Sequence, residues 1–167
     1  MDNLKKTLKR IFIGKAPRKT FVRALILIVI CIGTFKFVLI PVHLRGSSME
    51  PTYLDGSFNF INALLYKFRA PYRGDVVAIK MAGKKLMLFK RIVALPGERV
   101  EFRAGLLFIN GEAFEETYLK EKGAWNMEEL TLKESEFFVV GDNRLVSFES
   151  NLHGRVRENK IIGEALW

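Results

Sequence analysis

The chain has 167 residues and a formal net charge of +9, a length that accommodates one domain plus an anchor. The charge is lopsided: residues 1–23 hold eight Lys or Arg against Asp2 alone, whereas the remainder carries 19 basic and 17 acidic side chains. That distribution argues against a nucleic-acid-binding domain, which would spread its Lys and Arg over a folded face. Two histidines and one cysteine give no zinc-ligand spacing, so neither metal nor cofactor is expected.

Residues 1–20 read as a basic head. From Phe21 to Ile40 the chain is apolar, with no charge between Ala24 and Phe35. Arg23 and Lys36 can snorkel their charges to the two interfaces, and the whole stretch then matches the roughly 20 residues that span a hydrocarbon core. A buried helix of a soluble protein is the rival reading. A cleavable signal peptide needs small residues after the apolar run, but the chain continues Pro41-Val42-His43-Leu44-Arg45. Ile30 ahead of Cys31 does not suit a lipoprotein signal either. An uncleaved, single-pass signal anchor is therefore expected over 21–40 in the cell membrane, with the head in the cytoplasm and residues 41–167 on the exported side. Cys31 is the only cysteine and lies within the span, so the exported domain has no disulfide and depends on a hydrophobic core.

From Ser57 onward the pattern is one of strands. The runs 75–81 and 86–95 are apolar and rich in β-branched residues, joined by a plausible hairpin loop at Ala82-Gly83-Lys84-Lys85. Leu95-Pro96-Gly97-Glu98 is a turn signal, 99–103 alternates, and 106–109 runs into Asn110-Gly111. Asn-Gly is the dipeptide preferred by a two-residue type I′ hairpin, where both positions need positive φ. Segments 136–140 and 160–167 complete the strands, while 120–133 is polar and reads as a surface excursion. Short strands between Gly and Pro turns, without a 3.6-residue period, predict a mainly β, antiparallel domain over 41–167 with no large inserted second domain.

The chemistry centres on Gly46-Ser47-Ser48-Met49-Glu50-Pro51-Thr52, a serine in a proline-containing turn shortly after the apolar run. A serine hydroxyl is a weak nucleophile until a base activates it. A Ser-His-Asp arrangement would use His43, in the connector from the membrane, or His153, in a glycine-containing loop, and the residues alone leave that alternative open. Lys90 is the better base. It sits inside the apolar strand Leu88-Phe89-Lys90-Arg91-Ile92-Val93, where neighbouring side chains face opposite ways, so Lys90 or Arg91 must enter a buried setting. Desolvation lowers a lysine pKa, and a value of about 8 would leave roughly a tenth of the amine neutral at pH 7. Taken alone, Lys90 reads better as a snorkelling surface residue, and the case for it as a base depends on its partner.

Four blocks, in order and spanning nearly all of 46–167, resemble the type I (leader) signal peptidases, membrane-anchored Ser–Lys proteases. These are Ser48-Met49-Glu50-Pro51-Thr52, Arg73-Gly74-Asp75-Val76-Val77, Lys90-Arg91-Ile92-Val93-Ala94-Leu95-Pro96-Gly97-Glu98, and the block from Gly141-Asp142-Asn143-Arg144 through Ser147 to Gly154. The resemblance implies Ser48 as nucleophile and Lys90 as general base, with Ser147 orienting the lysine. It also places the oxyanion hole at the Ser48 N–H. Where some members carry a hydroxyl donor this chain has Gly46, as other members do, and Ser47 is adjacent. Glu149 and Asn151 depart from the family's aspartate and arginine, so the ion pair beneath the site is altered. Arg91, Asp142, Arg144 and Glu149 are expected to form structural ion pairs.

The resemblance further implies that the substrates are signal-peptide-bearing preproteins cut beside the lipid bilayer, with the export machinery as a further partner and no nucleic acid. Such a peptide would bind extended, against a sheet edge. Two other readings stand beside this one. A self-cleaving Ser–Lys protein of the repressor type would carry a soluble N-terminal segment in place of the anchor, and a non-catalytic adaptor of the export machinery would not need Ser48 and Lys90.

Overall fold

The computed structural model describes residues 17–81, 87–149, 151 and 154–166. Two units emerge, one ending at Val38 and the other running from Leu39 to Trp167. The first contains helix α1, Pro17–Phe37, 21 residues long. At 1.5 Å per residue that is about 30 Å, the thickness of a hydrocarbon core. Pro17 opens the helix where a missing N–H costs nothing. Phe21, Leu25, Leu27, Val29 and Ile32 are all more than half exposed, so the apolar surface goes all the way round, as suits lipid contact. Within it the Thr34 hydroxyl donates to the Ile30 carbonyl at 2.9 Å, so that polar group is satisfied inside the helix.

In the second unit the described strands all pair antiparallel, with short 3-10 turns at Leu65–Lys67 and Glu158–Lys160 between them. Its strands in chain order are β1 Leu39–His43, β2 Phe58–Asn62, β3 Val76–Lys80, β4 Met87–Ala94, β5 Arg99–Arg103, β6 Leu106–Ile109, β7 Glu112–Phe114, β8 Met127–Thr131, β9 Glu136–Val140, β10 Arg155–Arg157 and β11 Ile161–Ala165. Seven of them form one sheet in the order β1-β2-β11-β3-β4-β9-β10, and four form a second in the order β7-β6-β5-β8. The expected mainly β, antiparallel architecture behind an apolar helix is what the chain adopts.

The small sheet is an excursion between two neighbours of the large one. Chain leaves β4 through the turn at Leu95–Glu98, where Glu98 N–H donates to the Leu95 carbonyl at 3.2 Å, and returns into β9. Asn110 and Gly111 join β6 to β7 with φ of 55° and 86°, the pair of positive values a type I′ turn requires. Val93, Phe102, Leu107, Trp125 and Phe138 are among the residues of a core cluster drawn from both sheets. A second cluster on one face of the large sheet gathers Leu44, Met49, Tyr53, Ile61 and Phe89, and a third holds Val77, Ile79, Ile92 and Val139. Strands β3 and β9 are buried along nearly their whole length, which is why they read as unbroken apolar runs.

Three expectations differ from the fold. Residues 120–133 are not a mere surface excursion: β8 pairs with β5, and Trp125 and Leu132 are buried. Only every few side chains of that stretch face inward, so its apolar pattern is too sparse to read. Leu39 and Ile40, expected at the end of the span, begin strand β1. His43 is the last residue of that strand rather than a connector residue, and its ring Nε2 lies 2.9 Å from the Gly56 carbonyl. The hairpin loop expected at 82–85 lies outside the described residues.

Candidate active site

Ser48 is held in a densely bonded turn between β1 and β2. Gly46 takes φ of +100°, a backbone state that disfavours any side chain, and its N–H donates to Asp55 Oδ1 at 2.8 Å. Glu50 N–H donates to the Ser47 carbonyl at 3.1 Å, and Tyr53 N–H to the Met49 carbonyl at 2.9 Å. Met49 anchors the turn in the core at 3% exposure. From the far side, Asn143 clamps it twice: its backbone N–H donates to the Ser48 carbonyl and its side-chain amide to the Ser47 carbonyl, each at 3.0 Å. Gly141 allows this approach, because a Cβ there would lie 2.1 Å from the Ser48 carbonyl oxygen. Among the described residues no hydrogen bond uses the Ser48 N–H, which leaves that donor available.

Lys90 meets this turn from β4. It lies opposite Val77 of β3, with Arg91 opposite Val76, so the pleat sends the two charged side chains to opposite faces. Both faces are covered, and both residues are buried, Lys90 at 3% exposure. Lys90 Nζ donates to Ser48 Oγ at 2.7 Å and to Asn151 Oδ1 at 3.1 Å. Burial lowers its pKa from 10.5 to about 8, against the opposing pull of the Asp142 carboxylate. An amine that loses its proton near neutrality, in hydrogen-bond reach of a hydroxyl, can accept that hydroxyl's proton.

The charges beneath the pair are fully matched. Arg91 Nε donates to Asp142 Oδ1 at 2.8 Å and its Nη2 to Oδ2 at 2.5 Å, while Thr52 Oγ1 donates to the same Oδ2 at 2.6 Å. Arg144 pairs with Glu116, through Nη1 at 2.8 Å and Nη2 at 2.5 Å, and its Nε donates to the Gly141 carbonyl at 3.0 Å. Tyr118 links the two pairs. Its hydroxyl donates to Glu116, and its ring lies 4.1 Å from the Arg91 guanidinium. Burial and the Glu116 charge push the Tyr118 hydroxyl well above its ordinary range, so it stays a donor. Glu149 is exposed and forms no ion pair among the described residues.

Ser147 is exposed on the loop after β9, and its carbonyl accepts the Asn151 N–H at 2.9 Å. His153 lies outside the described residues. Thr52, Glu116, Tyr118 and Asn151 were not singled out from the sequence as supports. Each acts through a contact across long sequence separation, and only the acidity of Glu116 in a polar stretch hinted at a partner.

A cleft of about 410 Å³ opens beside Ser48, lined by Val42, His43, Leu44, Met49, Tyr53 and the β4 segment Met87–Phe89 among others. Strand β9 pairs with β4 only at Arg91, Ile92 and Ala94. Met87 to Phe89 pair with β3 on one side, and on the side away from β3 they have no partner strand among the described residues; these residues line the cleft, and β1 is itself the edge of its sheet.

A serine hydroxyl hydrogen-bonded to a buried lysine, with a spare backbone donor and an open strand edge alongside, is an arrangement able to serve a serine–lysine hydrolase. The family described as signal peptidase, peptidase S26, matches residues 18–167, and the chain belongs to that family. It is 30% identical over 157 residues to signal peptidase I V of Bacillus subtilis (strain 168), covering 86% of this chain and 93% of that protein. It is 33% identical to a probable signal peptidase I-2 of Synechocystis sp., covering 88% and 69% respectively. A crystal structure of a signal peptidase I from Enterococcus faecalis V583 aligns at 31% identity with a TM-score of 0.49, over 57% of this chain and 97% of that one.

Proposed function

We propose that this signal peptidase is a membrane-anchored serine endopeptidase that cuts signal peptides from exported preproteins, with Ser48 as nucleophile and Lys90 as general base. The observation that carries this reading is the 2.7 Å contact between Lys90 Nζ and Ser48 Oγ, made by a lysine that is buried.

In the first step the neutral Lys90 amine takes the Ser48 hydroxyl proton as Oγ bonds to the scissile carbonyl carbon. The resulting oxyanion is stabilised by the Ser48 N–H. Lys90 then returns the proton to the leaving amine, the peptide bond breaks, and an ester on Ser48 remains. In the second step a water loses its proton to Lys90 as its oxygen attacks the ester carbonyl; the bond to Ser48 Oγ then breaks, Lys90 hands that proton to Oγ, and the acid is released. Ser47 and Gly46 shape the turn around the oxyanion site. Ser147 supports Lys90 through the loop, since its carbonyl holds Asn151. The ion pairs of Arg91, Asp142, Arg144 and Glu116 are structural. The peptide lies extended in the cleft, adding backbone hydrogen bonds to the free β4 edge, with small side chains facing Met49 and Phe89.

Helix α1 anchors the chain, the basic head remains cytoplasmic and the β domain faces the exported side. The lipid bilayer and the export machinery are then its neighbours, and a bond presented close to the outer leaflet is the one within reach.

The test is cleavage of a labelled preprotein by the detergent-solubilised full chain. Wild type is expected to release the leader, while Ser48→Ala and Lys90→Ala should each lose at least about a thousandfold in kcat. Cutting at normal rate by either variant, or none by wild type, would refute the assignment.

A further inference from the structure

Asn151 touches Lys90 directly, a contact to which the steps above give no role of its own. It is 2% exposed, and every polar atom of its side chain is committed. Oδ1 accepts the Gly141 N–H at 2.9 Å as well as Lys90 Nζ at 3.1 Å, and Nδ2 donates to the Asn143 carbonyl at 3.1 Å. These partners fix the orientation of the amide. Gly141 N–H can only donate and the Asn143 carbonyl can only accept, so a flipped amide would place donor against donor and acceptor against acceptor. The atom facing Lys90 is therefore an oxygen without charge.

We propose that Asn151 is a positioning residue for Lys90, holding one of its N–H groups so that the remaining face of the nitrogen is directed at Ser48; this rests on the Ser48–Lys90 reading above. The chemistry requires such a partner. A neutral amine has two hydrogens and one lone pair, and it is a base toward Ser48 only when the lone pair points there. A fixed acceptor on the other side excludes the rotation that turns the lone pair away towards Asn151, leaving the lone pair one of two positions, of which one faces Ser48. The acceptor must also be neutral. A carboxylate 3.1 Å away would favour the ammonium and hold the proton on Lys90, whereas an amide oxygen can bind either protonation state. Asn151 thus orients the base without quenching it, and its bond to Gly141 ties it to the glycine on which the Ser48 carbonyl rests.

The experiment compares full-length wild type, Asn151→Ala, Asn151→Asp and Lys90→Ala in detergent, measuring kcat and KM for a labelled preprotein across pH. Lys90 is titrated in parallel by competitive acetylation and peptide mass, a readout that needs no catalysis. Wild type should show an acid limb of kcat/KM near pH 8. Asn151→Ala is expected to lose about tenfold or more in kcat with KM nearly unchanged. Asn151→Asp should move the acid limb and the Lys90 titration upward by about one pH unit or more. Should either variant melt below the assay temperature, Asn151→Ser, which keeps an acceptor in less space, takes its place and should fall between Ala and wild type in kcat. Folded variants with wild-type kcat and an unmoved limb would overturn the proposal. Wild type that does not cut, or Lys90→Ala that does, would instead overturn the Ser48–Lys90 reading.

Discussion

Lys90 is the residue at which stability and chemistry pull apart. Burial favours its neutral amine, so the cost of carrying the charge is fully present below pH 8 and is relieved as pH rises from 8 towards 10.5, where the unfolded chain also deprotonates. A lowering of this size corresponds to about 3 kcal/mol. Lys90→Met, which fills similar space without charge, should therefore raise stability at pH 7 by about 1–3 kcal/mol while abolishing cleavage. Denaturant melts at pH 7 and at pH 10 would check it, with the gain expected to shrink at the higher pH. The position of Lys90 in an apolar strand was visible in the sequence, because period-2 alternation forces one of two adjacent charges inward. That Arg91 is buried too was not visible, since its partner Asp142 and its stacking partner Tyr118 come from distant segments. Asn151 read only as a departure from a family pattern. Its contact with Lys90 spans 61 positions, and no local signal marks it.

At the scale of elements, the segment that follows β9 organises the site. Gly141 is the tightest point, with room for a hydrogen but not for a methyl group against the Ser48 carbonyl. Gly141→Ala should displace the nucleophile turn and cost about 1–3 kcal/mol of stability. Cleavage should fall by about a hundredfold, since a 1 Å misplacement is enough for that. A thermal melt and a preprotein assay on the same sample would separate the two effects. The strands themselves were largely readable: 99–103, 106–109 and 136–140 carry clear alternation or unbroken apolar runs, and Asn110-Gly111 announces its hairpin. Strand β8 was not, because its side chains are mostly exposed and polar. Strand β1 was hidden for the opposite reason, since Leu39 and Ile40 continue the apolar composition of the helix before them.

For the whole molecule, that last point has a practical consequence. Leu39 pairs with Asn62 and Ile40 with Ile61, so the β domain begins two residues earlier than composition suggests. A chain starting at Leu39 should fold, cut a short soluble leader peptide at a rate comparable with the full chain in detergent, and no longer partition into liposomes. One starting at Pro41 should be less stable by about 1–3 kcal/mol, through two lost register pairs and the missing Ile40 side chain. Liposome flotation and denaturant melts of the two truncations are the measurements. Deletions placed by hydropathy alone would cut into the sheet.

The loop from Gly141 to Asn151 touches both members of the proposed pair: Gly141 and Asn143 bear on the Ser48 turn, and Asn151 bears on Lys90. The two are thus mounted like the jaws of a caliper on one short beam. A change that shifts this loop should therefore disturb Ser48 and Lys90 at once, where a change in the β1–β2 turn or in β4 alone would disturb one of them.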